Sequence, residues 1–450
     1  MRLLLNPSPE NKPDSSEGSR VKEEIQHGSL AKTTAIFASG NMVGLFLRTL
    51  AGFLTASLVE PAVLGLLAAF ALSLKYANFL QVGSINGLAR QIPFFIGRDD
   101  YPKAKQQTAA GFAWMFLMAG IAFVVLIVLG VRELVLKDLM MASGWFTYAT
   151  VVVFTLLFHT YEITYRSHSN FNKLAGIEVT RSIVSLIMLV AVYYLDFYGL
   201  LIRVWVVSLI PLILIYRFRP MKDVIPKWNF GELKQLWAVG IPIYAVVMIT
   251  SLWQTVNVTL VLKIMGVEGM GLMTLALTIG TVMAVLPKAF SKVTMPRAAM
   301  IYGQGGGLLT IVKILIKPTV VLVLIVGAAV VIMIPLVAWA TNLFLPKYAG
   351  GIEAAQWQLV VGGLASLQIA NVALTVMRRQ DIIFVNTLIG VAVWGGTLYT
   401  LITPEPYLAA FPQSMVAGQL VFLIGSYSAA IFLVIAERKG SGKRENRDPE

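Results

Sequence analysis

The segment "GSINGLARQIPFFIGRDDYPKAKQ" (Gly83–Gln106) stands where a long apolar run gives way to a basic loop. The apolar run before it, at about 62–88, is long enough to cross a hydrocarbon core of about 30 Å as a helix. Four cations follow the run, namely Arg90, Arg98, Lys103 and Lys105. Because loops that stay in the cytoplasm collect Lys and Arg, this pattern predicts a membrane helix that ends on the cytoplasmic side.

The composition predicts the same class of protein. Of the 450 residues, 57 % are hydrophobic and 13 % are charged, and the mean hydropathy is +0.76. A soluble globule needs more polar surface, so we expect an integral membrane protein. Cytoplasmic loops facing anionic lipid account for the net charge of +13, and nucleic acid is not an expected partner. With no cysteine and three histidines, no thiolate or zinc site is expected.

Apolar stretches of roughly 20 residues or more recur about twelve times along the chain. Most basic residues fall in alternate loops, whereas the opposite loops hold Arg132, Lys137, Lys263 and Lys347. This bias predicts that both termini are cytoplasmic. The predicted spans are 30–56, 62–88, 106–131, 144–167, 175–195, 198–216, 237–263, 269–294, 312–341, 354–377, 381–402 and 413–436.

The predicted fold class is all-α integral membrane, with two six-helix lobes that both start in the cytoplasm. An even number of spans in each lobe makes the repeat parallel, related by a pseudo-two-fold axis along the membrane normal. Similar loops support it: "RQIPFFIGRDDYPKAK" follows the second span and "TMPRAAMIYGQGGGLLTIVK" follows the eighth. The predicted parts are a polar cytoplasmic tail 1–29, an N-terminal lobe 30–216, an amphipathic cytoplasmic linker 217–236, a C-terminal lobe 237–437 and a basic cytoplasmic tail 438–450.

Five motifs together resemble the polysaccharide transporter branch of the multidrug/oligosaccharidyl-lipid/polysaccharide (MOP) exporter superfamily. They are "GSINGLARQIPFFIGRDDYPKA", "FGELKQLWAVGIPIY", "MGVEGMGLMTLALTI", "MPRAAMIYGQGG" and "NLFLPKYAGG". The resemblance implies a MATE-like fold that flips an undecaprenyl-diphosphate-linked oligosaccharide from the inner to the outer leaflet of the cytoplasmic (cell inner) membrane. It further implies a role in lipopolysaccharide or exopolysaccharide synthesis, membrane lipids as partners, and a polysaccharide polymerase or ligase as a possible one. No Walker A, HExxH or Ser/His/Asp grouping indicates an enzyme, and no cofactor or metal is expected.

Charges inside the predicted spans are few, and a central Arg or Lys costs about 2.5 to 3.5 kcal/mol on insertion scales. Arg48 lies well inside the first span and Lys75 at the middle of the second. Arg203 lies about one turn into the sixth span, where snorkelling to the interface is expected. Amides accompany the first two cations on their own helices, namely Asn41 with Arg48, and Asn78 and Gln81 with Lys75.

Further candidates lie elsewhere. His159, Glu162 and Arg166 form one polar stripe on the fourth span, which is either an internal Glu162–Arg166 ion pair or a proton-responsive coupling group. Two uncharged stripes serve either helix packing or contact with sugar hydroxyls. Pro93 and Gly97 are expected to turn the chain at the cytoplasmic rim, where Arg90 and Arg98 would attract an anionic head group. The amides of the uncharged stripes are Gln254 and Asn257 on the seventh span and Gln368 and Asn371 on the tenth.

These residues predict a cleft with one cationic wall, at Arg48 and Lys75, and one neutral polar wall. A diphosphate would sit near the cations and the glycan near the neutral wall, while rocking of the lobes alternates access. The alternative is a cation-coupled multidrug exporter on the same fold, which would need carboxylates in the cavity. A scaffold that transports nothing is a third interpretation, but it has no need of buried cations.

Overall fold

The computed structural model describes residues 30–168, 170–284, 308–367, 371, 374–375 and 379–445. Within these ranges the chain forms twelve α-helices and two short 3₁₀-helices, at Asn78–Gln81 and Pro346–Gly351. The predicted tail 1–29, the loop motif at 295–306 and Gln368 lie outside the described residues. The α-helices are α1 Leu30–Leu58, α2 Pro61–Ala77, α3 Ser84–Gly97, α4 Tyr101–Val135, α5 Leu139–Ser167, α6 Phe171–Ile187, α7 Leu189–Arg217, α8 Phe230–Met283, α9 Leu308–Phe344, α10 Ile352–Ser366, α11 Gln380–Ile402 and α12 Ala410–Glu445.

Eight of the described helical segments are long and apolar enough to cross a membrane. The predicted class, an all-α protein that crosses the membrane several times, is therefore confirmed. The orientation of the termini stays a prediction. The spanning segments are Pro61–Gln81, Tyr101–Val135, Leu139–Ser167, Leu189–Arg217, Phe230–Met283, Thr319–Phe344, Gln380–Ile402 and Ala410–Ile435.

The segment after α2 is broken where the sequence predicts one continuous span at 62–88. α2 ends at Ala77, and the left-handed backbone of Val82 (φ 46°) and Gly83 (φ 77°) separates the 3₁₀-helix from α3. A Cβ on Gly83 would lie 2.7 Å from the carbonyl carbon of Gly240. Glycine is therefore required here twice, by its backbone conformation and by the close approach of α8.

Pro93 does not turn the chain, contrary to the expectation from sequence, because it lies inside α3. The turn comes at Asp99, which has a φ of 61°. Asp100 then caps α4, since its Oδ1 accepts a hydrogen bond from the backbone N–H of Lys103 at 3.1 Å. A side-chain oxygen therefore accepts a hydrogen bond from one of the N–H groups that have no partner within the helix.

The chain divides into two compact units. The first comprises Met1–Leu47, Ala77–Ile187 and Val204–Tyr244, and it is packed around Phe112, Tyr165 and Leu236. The second comprises Arg48–Tyr76, Met188–Arg203 and Ala245–Glu450, and its largest core contains Trp253, Trp394 and Phe411. These units do not coincide with the predicted lobes 30–216 and 237–437, which stay a prediction.

The linker between α7 and α8 is irregular rather than helical. After Arg217 the chain makes a turn at 222–223, and it re-enters helix at Phe230. Leu233 and Leu236 are buried within the first turns of α8, while Trp228 and Phe230 are exposed. The amphipathic pattern of 217–236 therefore marks a connecting strap followed by a helix start. Similarly, α12 continues to Glu445, beyond the predicted start of the tail at 438.

Candidate functional site

A cavity of about 380 Å³ lies inside the second unit. Its walls come from α1, α2, α7, α8, α9 and α10, with further residues from the segment between α9 and α10. The size is within the range of small-molecule sites, about 300–1,000 Å³. The cavity therefore brings together helices from the first and second halves of the sequence.

Arg203 from α7 lines this cavity and is half-buried. Its Nη1 donates a hydrogen bond to Oγ1 of Thr55 on α1. Thr55 is itself buried, and its hydroxyl donates to the carbonyl oxygen of Ala51 at 2.5 Å. The hydroxyl proton is thus engaged with the helix, which leaves an oxygen lone pair facing the guanidinium. The expectation that Arg203 snorkels to the interface stays a prediction, and the structure adds this contact with Thr55.

The described lining of the cavity is mainly apolar, with one cation and several hydroxyl groups. Among its described lining residues, Arg203 is the one that carries a charge, and no carboxylate is present. Most of the remaining wall is apolar. Hydroxyl groups supply the other polar atoms and come from Thr49, Thr55, Thr274, Thr278, Thr341 and Tyr348. A permanent cation with five N–H donors in apolar surroundings suits an amphiphile with an anionic head.

One end of the cavity is joined across the two halves of the sequence. Glu60, just before α2, forms a salt bridge of 2.6 Å with Lys347, in the 3₁₀-helix after α9. The hydroxyl of Tyr348, whose side chain lines the cavity and is 1 % exposed, donates to the carbonyl oxygen of Val59 at 3.3 Å. Burial and the neighbouring Glu60 raise the pKa of Tyr348 to about 12, so its phenol remains a donor at neutral pH.

Two glycines hold α2 against α8 beside these contacts. A Cβ on Gly65 would lie 1.9 Å from the carbonyl oxygen of Val267, and one on Gly271 would lie 1.8 Å from the carbonyl oxygen of Pro61. The break in α8 at Gly266, where φ is 70°, lies at the same place. This backbone contact lets Leu64 and Leu67 of α2 reach the cavity wall.

We expect Gly65→Val to destabilise the protein by at least about 1 to 3 kcal/mol, because the added methyl groups must push two backbones apart. The measurement is thermal unfolding in detergent, where the melting temperature should fall by several degrees. Gly396→Val is the matched control, since no other described part of the chain approaches its Cβ position within 4 Å. Equal melting temperatures for the two variants would contradict the close packing.

The two cations predicted from sequence, Arg48 and Lys75, are not among the residues that line this cavity. Arg48 is half-buried and immediately precedes the lining residue Thr49, but it is not itself a lining residue. Lys75 is exposed on the last turn of α2 and makes no hydrogen bond or ion pair within the part of the chain that is described. Asn78 and Gln81 are half-buried in the 3₁₀-helix of the first unit. The side chain of Asn41 is outside the described part.

The stripe on α5 forms an ion-paired group. Nη2 of Arg166 lies 2.5 Å from Oε1 of Glu162, and Nδ1 of His159 lies 3.3 Å from its Oε2. The internal pair predicted as one alternative is therefore present. Arg90 and Arg98 are both exposed, and the guanidinium of Arg98 lies 4.3 Å from the centre of the Phe94 ring.

The neutral amides predicted in the second half differ in burial and in hydrogen bonding. Asn257 is buried, and its Oδ1 accepts a hydrogen bond from Nε1 of Trp394 at 3.2 Å, as expected for a packing role. Gln254 is exposed. Oδ1 of Asn371 is buried and finds no hydrogen-bond partner among the described residues. Among the amides predicted from sequence on this side, Asn371 is therefore one that needs a further partner.

Sequence reasoning did not single out the cavity around Arg203. Two signals were available, namely the small and hydroxylated face of α1 at Thr49, Gly52 and Thr55 and the pair Thr274 and Thr278 on α8. Each has helical spacing, so each predicts a small polar face. Their convergence on Arg203 depends on how distant helices pack.

The architecture matches solved transporter structures along most of the chain. A multidrug resistance MATE family transporter of the MOP superfamily, in an inward-facing conformation, has a TM-score of 0.66 at 15 % identity, covering 88 % of this chain and 96 % of that one. The chain has the MATE fold. The MATE fold is also seen in an outward-facing structure of such a transporter, with a TM-score of 0.62 at 15 % identity, covering 92 % of this chain and 98 % of the other.

A third solved structure with the MATE fold is a MOP superfamily transporter from Pyrococcus furiosus. Its TM-score is 0.64 at 14 % identity, and the match covers 94 % of this chain and 99 % of that one. No protein-family model matches the sequence, and no curated protein matches it. The similarity therefore lies in the fold.

Proposed function

We propose that the chain is a membrane flippase for a polyprenyl-diphosphate-linked oligosaccharide, working by alternating access in the cytoplasmic membrane. The observation that carries this proposal is the Arg203 cavity, with one guanidinium and no carboxylate among its described lining residues. A diphosphate carries at least two negative charges, and a guanidinium binds phosphate oxygens through two parallel N–H donors. The head group of the lipid-linked glycan is thus the matching ligand.

The volume of the cavity limits what it holds. About 380 Å³ accommodates a diphosphate with the first apolar or sugar unit on either side, but not a whole oligosaccharide. The apolar wall then contacts the start of the polyprenyl chain. The glycan extends to neutral groups such as Gln254 and Asn371, while Arg48 and Lys75 attract the head group along its route. A polysaccharide polymerase or ligase would use the product on the far side.

The alternative function is export of cationic drugs, which is suggested by the multidrug resistance MATE transporters that share the fold. A cationic ligand gains from carboxylates and loses free energy beside a fixed guanidinium. The charge of the Arg203 cavity therefore favours an anionic substrate. The Pyrococcus furiosus transporter is a related case. The reverse polarity of its binding pocket suggests a different function for that protein.

The proposal is tested with purified protein in proteoliposomes. Flipping is measured with a glycan-cleaving enzyme that reaches one leaflet, using a polyprenyl-diphosphate oligosaccharide as substrate and liposomes without protein as the control. A cationic dye gradient is measured in the same vesicles. We expect protein-dependent flipping and no dye transport. Dye transport without flipping would overturn the proposal in favour of drug export.

The ion-paired group on α5 is the proposed coupling site. We expect Glu162→Gln to flatten the dependence of flipping on an imposed pH gradient, because an amide cannot take up a proton between His159 and Arg166. Stability should change by less than about 1 kcal/mol, since helix-surface ion pairs contribute about 0.3–0.5 kcal/mol. Glu178→Gln is the matched control, as Glu178 pairs with Arg181 at 3.2 Å on α6. An unchanged response to the gradient would assign Glu162 to a structural pair.

A further inference from the structure

The strap between α7 and α8 carries an exposed face of mixed chemistry. α7 and α8 are both long enough to span a membrane, so the strap that joins Arg217 to Phe230 lies at a membrane surface. Large apolar side chains are exposed on it, with Ile225 75 %, Phe230 60 % and Trp228 52 % exposed. Basic side chains lie between them. We call Arg217, Lys222, Ile225, Lys227, Trp228 and Phe230 the strap face.

The backbone of the strap is held in place from the opposite side. Met221 and Val224 are buried in the core of the first unit, 2 % and 7 % exposed. The backbone N–H of Lys227 donates to the carbonyl oxygen of Ala109 on α4 at 3.1 Å. The guanidinium of Arg219 donates to the carbonyl oxygens of Tyr216 and Lys222, at 2.9 and 3.1 Å. The alternation of buried and exposed side chains is therefore set by fixed contacts.

The two acidic side chains at the strap and at the start of α8 both form salt bridges with lysines of α4. Asp223 pairs with Lys105 at 2.6 Å, and Glu232 at the start of α8 pairs with Lys103 at 2.6 Å. The hydrogen bond from Lys105 lowers the pKa of Asp223, so this carboxylate stays charged at neutral pH. Lys222 and Lys227 make no ion pair within the described part of the chain. The strap face consequently presents Lys222 and Lys227, while the adjacent carboxylate of Asp223 is already paired with Lys105.

We infer that the strap face binds the anionic phospholipid head groups of the leaflet that it meets. Ile225, Trp228 and Phe230 insert at the interface, where amphipathic and aromatic side chains are favoured. Lys222 and Lys227 lie level with the phosphates and are attracted to a negative surface. A membrane without anionic lipid would bind the strap face through its apolar side chains but would not attract Lys222 and Lys227. An acidic segment of another protein is the competing occupant, and it becomes an outcome of the test.

The natural absence of cysteine allows a site-specific test. Ile225→Cys in the full-length protein carries a single thiol, which is labelled with an environment-sensitive fluorophore. The labelled protein is placed in nanodiscs of phosphatidylcholine, or of phosphatidylcholine with a minority of phosphatidylglycerol, each with doxyl-labelled lipid as quencher. Leu136→Cys is the control, because it is 60 % exposed in the connection between α4 and α5, where Glu133 and Asp138 offset the charges of Arg132 and Lys137.

We expect quenching at Ile225→Cys to rise about two- to five-fold when phosphatidylglycerol is present, as an attraction of this kind predicts. Added salt should reverse the rise, and Lys222→Gln with Lys227→Gln should abolish it. Quenching at Leu136→Cys should not change with lipid. Equal quenching at Ile225→Cys in both lipids would overturn the inference. Protection of the label by an acidic peptide, with no response to phosphatidylglycerol, would overturn it in favour of a protein partner.

Discussion

Arg203→Ala should abolish flipping of the diphosphate-linked glycan while the protein still folds. The substitution removes the one charge among the described lining residues of the cavity. Two charge-assisted hydrogen bonds at about 1.5 to 3 kcal/mol each would be lost, which corresponds to at least about a hundred-fold loss of affinity. Folding is spared because a half-buried cation in an apolar wall contributes little stability of its own.

The measurements are binding of the lipid-linked glycan in detergent and flipping in proteoliposomes, at matched protein amounts. Arg203→Lys should keep part of the activity, since it retains the charge and loses the two-pronged contact. Thr55→Val removes the hydroxyl that orients the guanidinium, so about a ten-fold loss is expected from an estimated 1.4 kcal/mol. Wild-type flipping by Arg203→Ala would exclude the cavity as the head-group site.

The same assays apply to Arg48 and Lys75, the cations that the sequence predicts. Arg48→Ala and Lys75→Ala should each weaken binding more than folding if these residues attract the diphosphate on its route. Arg48→Lys should be milder than Arg48→Ala. Normal binding by both alanine variants, together with loss in Arg203→Ala, would place head-group recognition at the Arg203 cavity alone.

Cross-linking Glu60→Cys to Lys347→Cys with a short bifunctional thiol reagent should stop transport. These positions join the start of α2 to the segment after α9 through a salt bridge of 2.6 Å, beside the cavity. In alternating access the predicted lobes 30–216 and 237–437 would move against each other, so a contact between them would have to open in every cycle. Because the chain has no cysteine, the reagent meets no other thiol. We expect flipping to fall at least about ten-fold, by analogy with other gates that must open for turnover.

A cleavable cross-linker makes this loss reversible, and reduction should restore the rate. The control is the pair Glu178→Cys and Arg181→Cys, which are also joined by a salt bridge but belong to one helix, α6. Cross-linking within a helix leaves alternating access free. Full transport by the Glu60–Lys347 cross-linked protein would show that these contacts do not open during the cycle.

Local sequence was sufficient for the eight described segments that can cross a membrane and for some of their ends. The apolar runs predict the spans, because a helix in lipid must satisfy its own backbone and expose apolar side chains. The breaks predicted near 195–198 and 263–269 appear at Asp196 and Gly266. The break at 78–83 and the position of Pro93 inside α3 were not predicted, and the break lies where Gly83 packs against Gly240 of α8.

The candidate site was likewise predicted from sequence only in part. The sequence alone identified which cations are expensive in lipid, including Arg203, because their cost depends on depth in a helix. It could not show that Arg203 meets Thr55, 148 residues away in the chain, or that Glu60 meets Lys347. Hydropathy describes which face of a helix avoids water. The partner of each polar side chain is set by which helices pack together, and in this protein that packing placed Arg203 in a cavity beside Thr55.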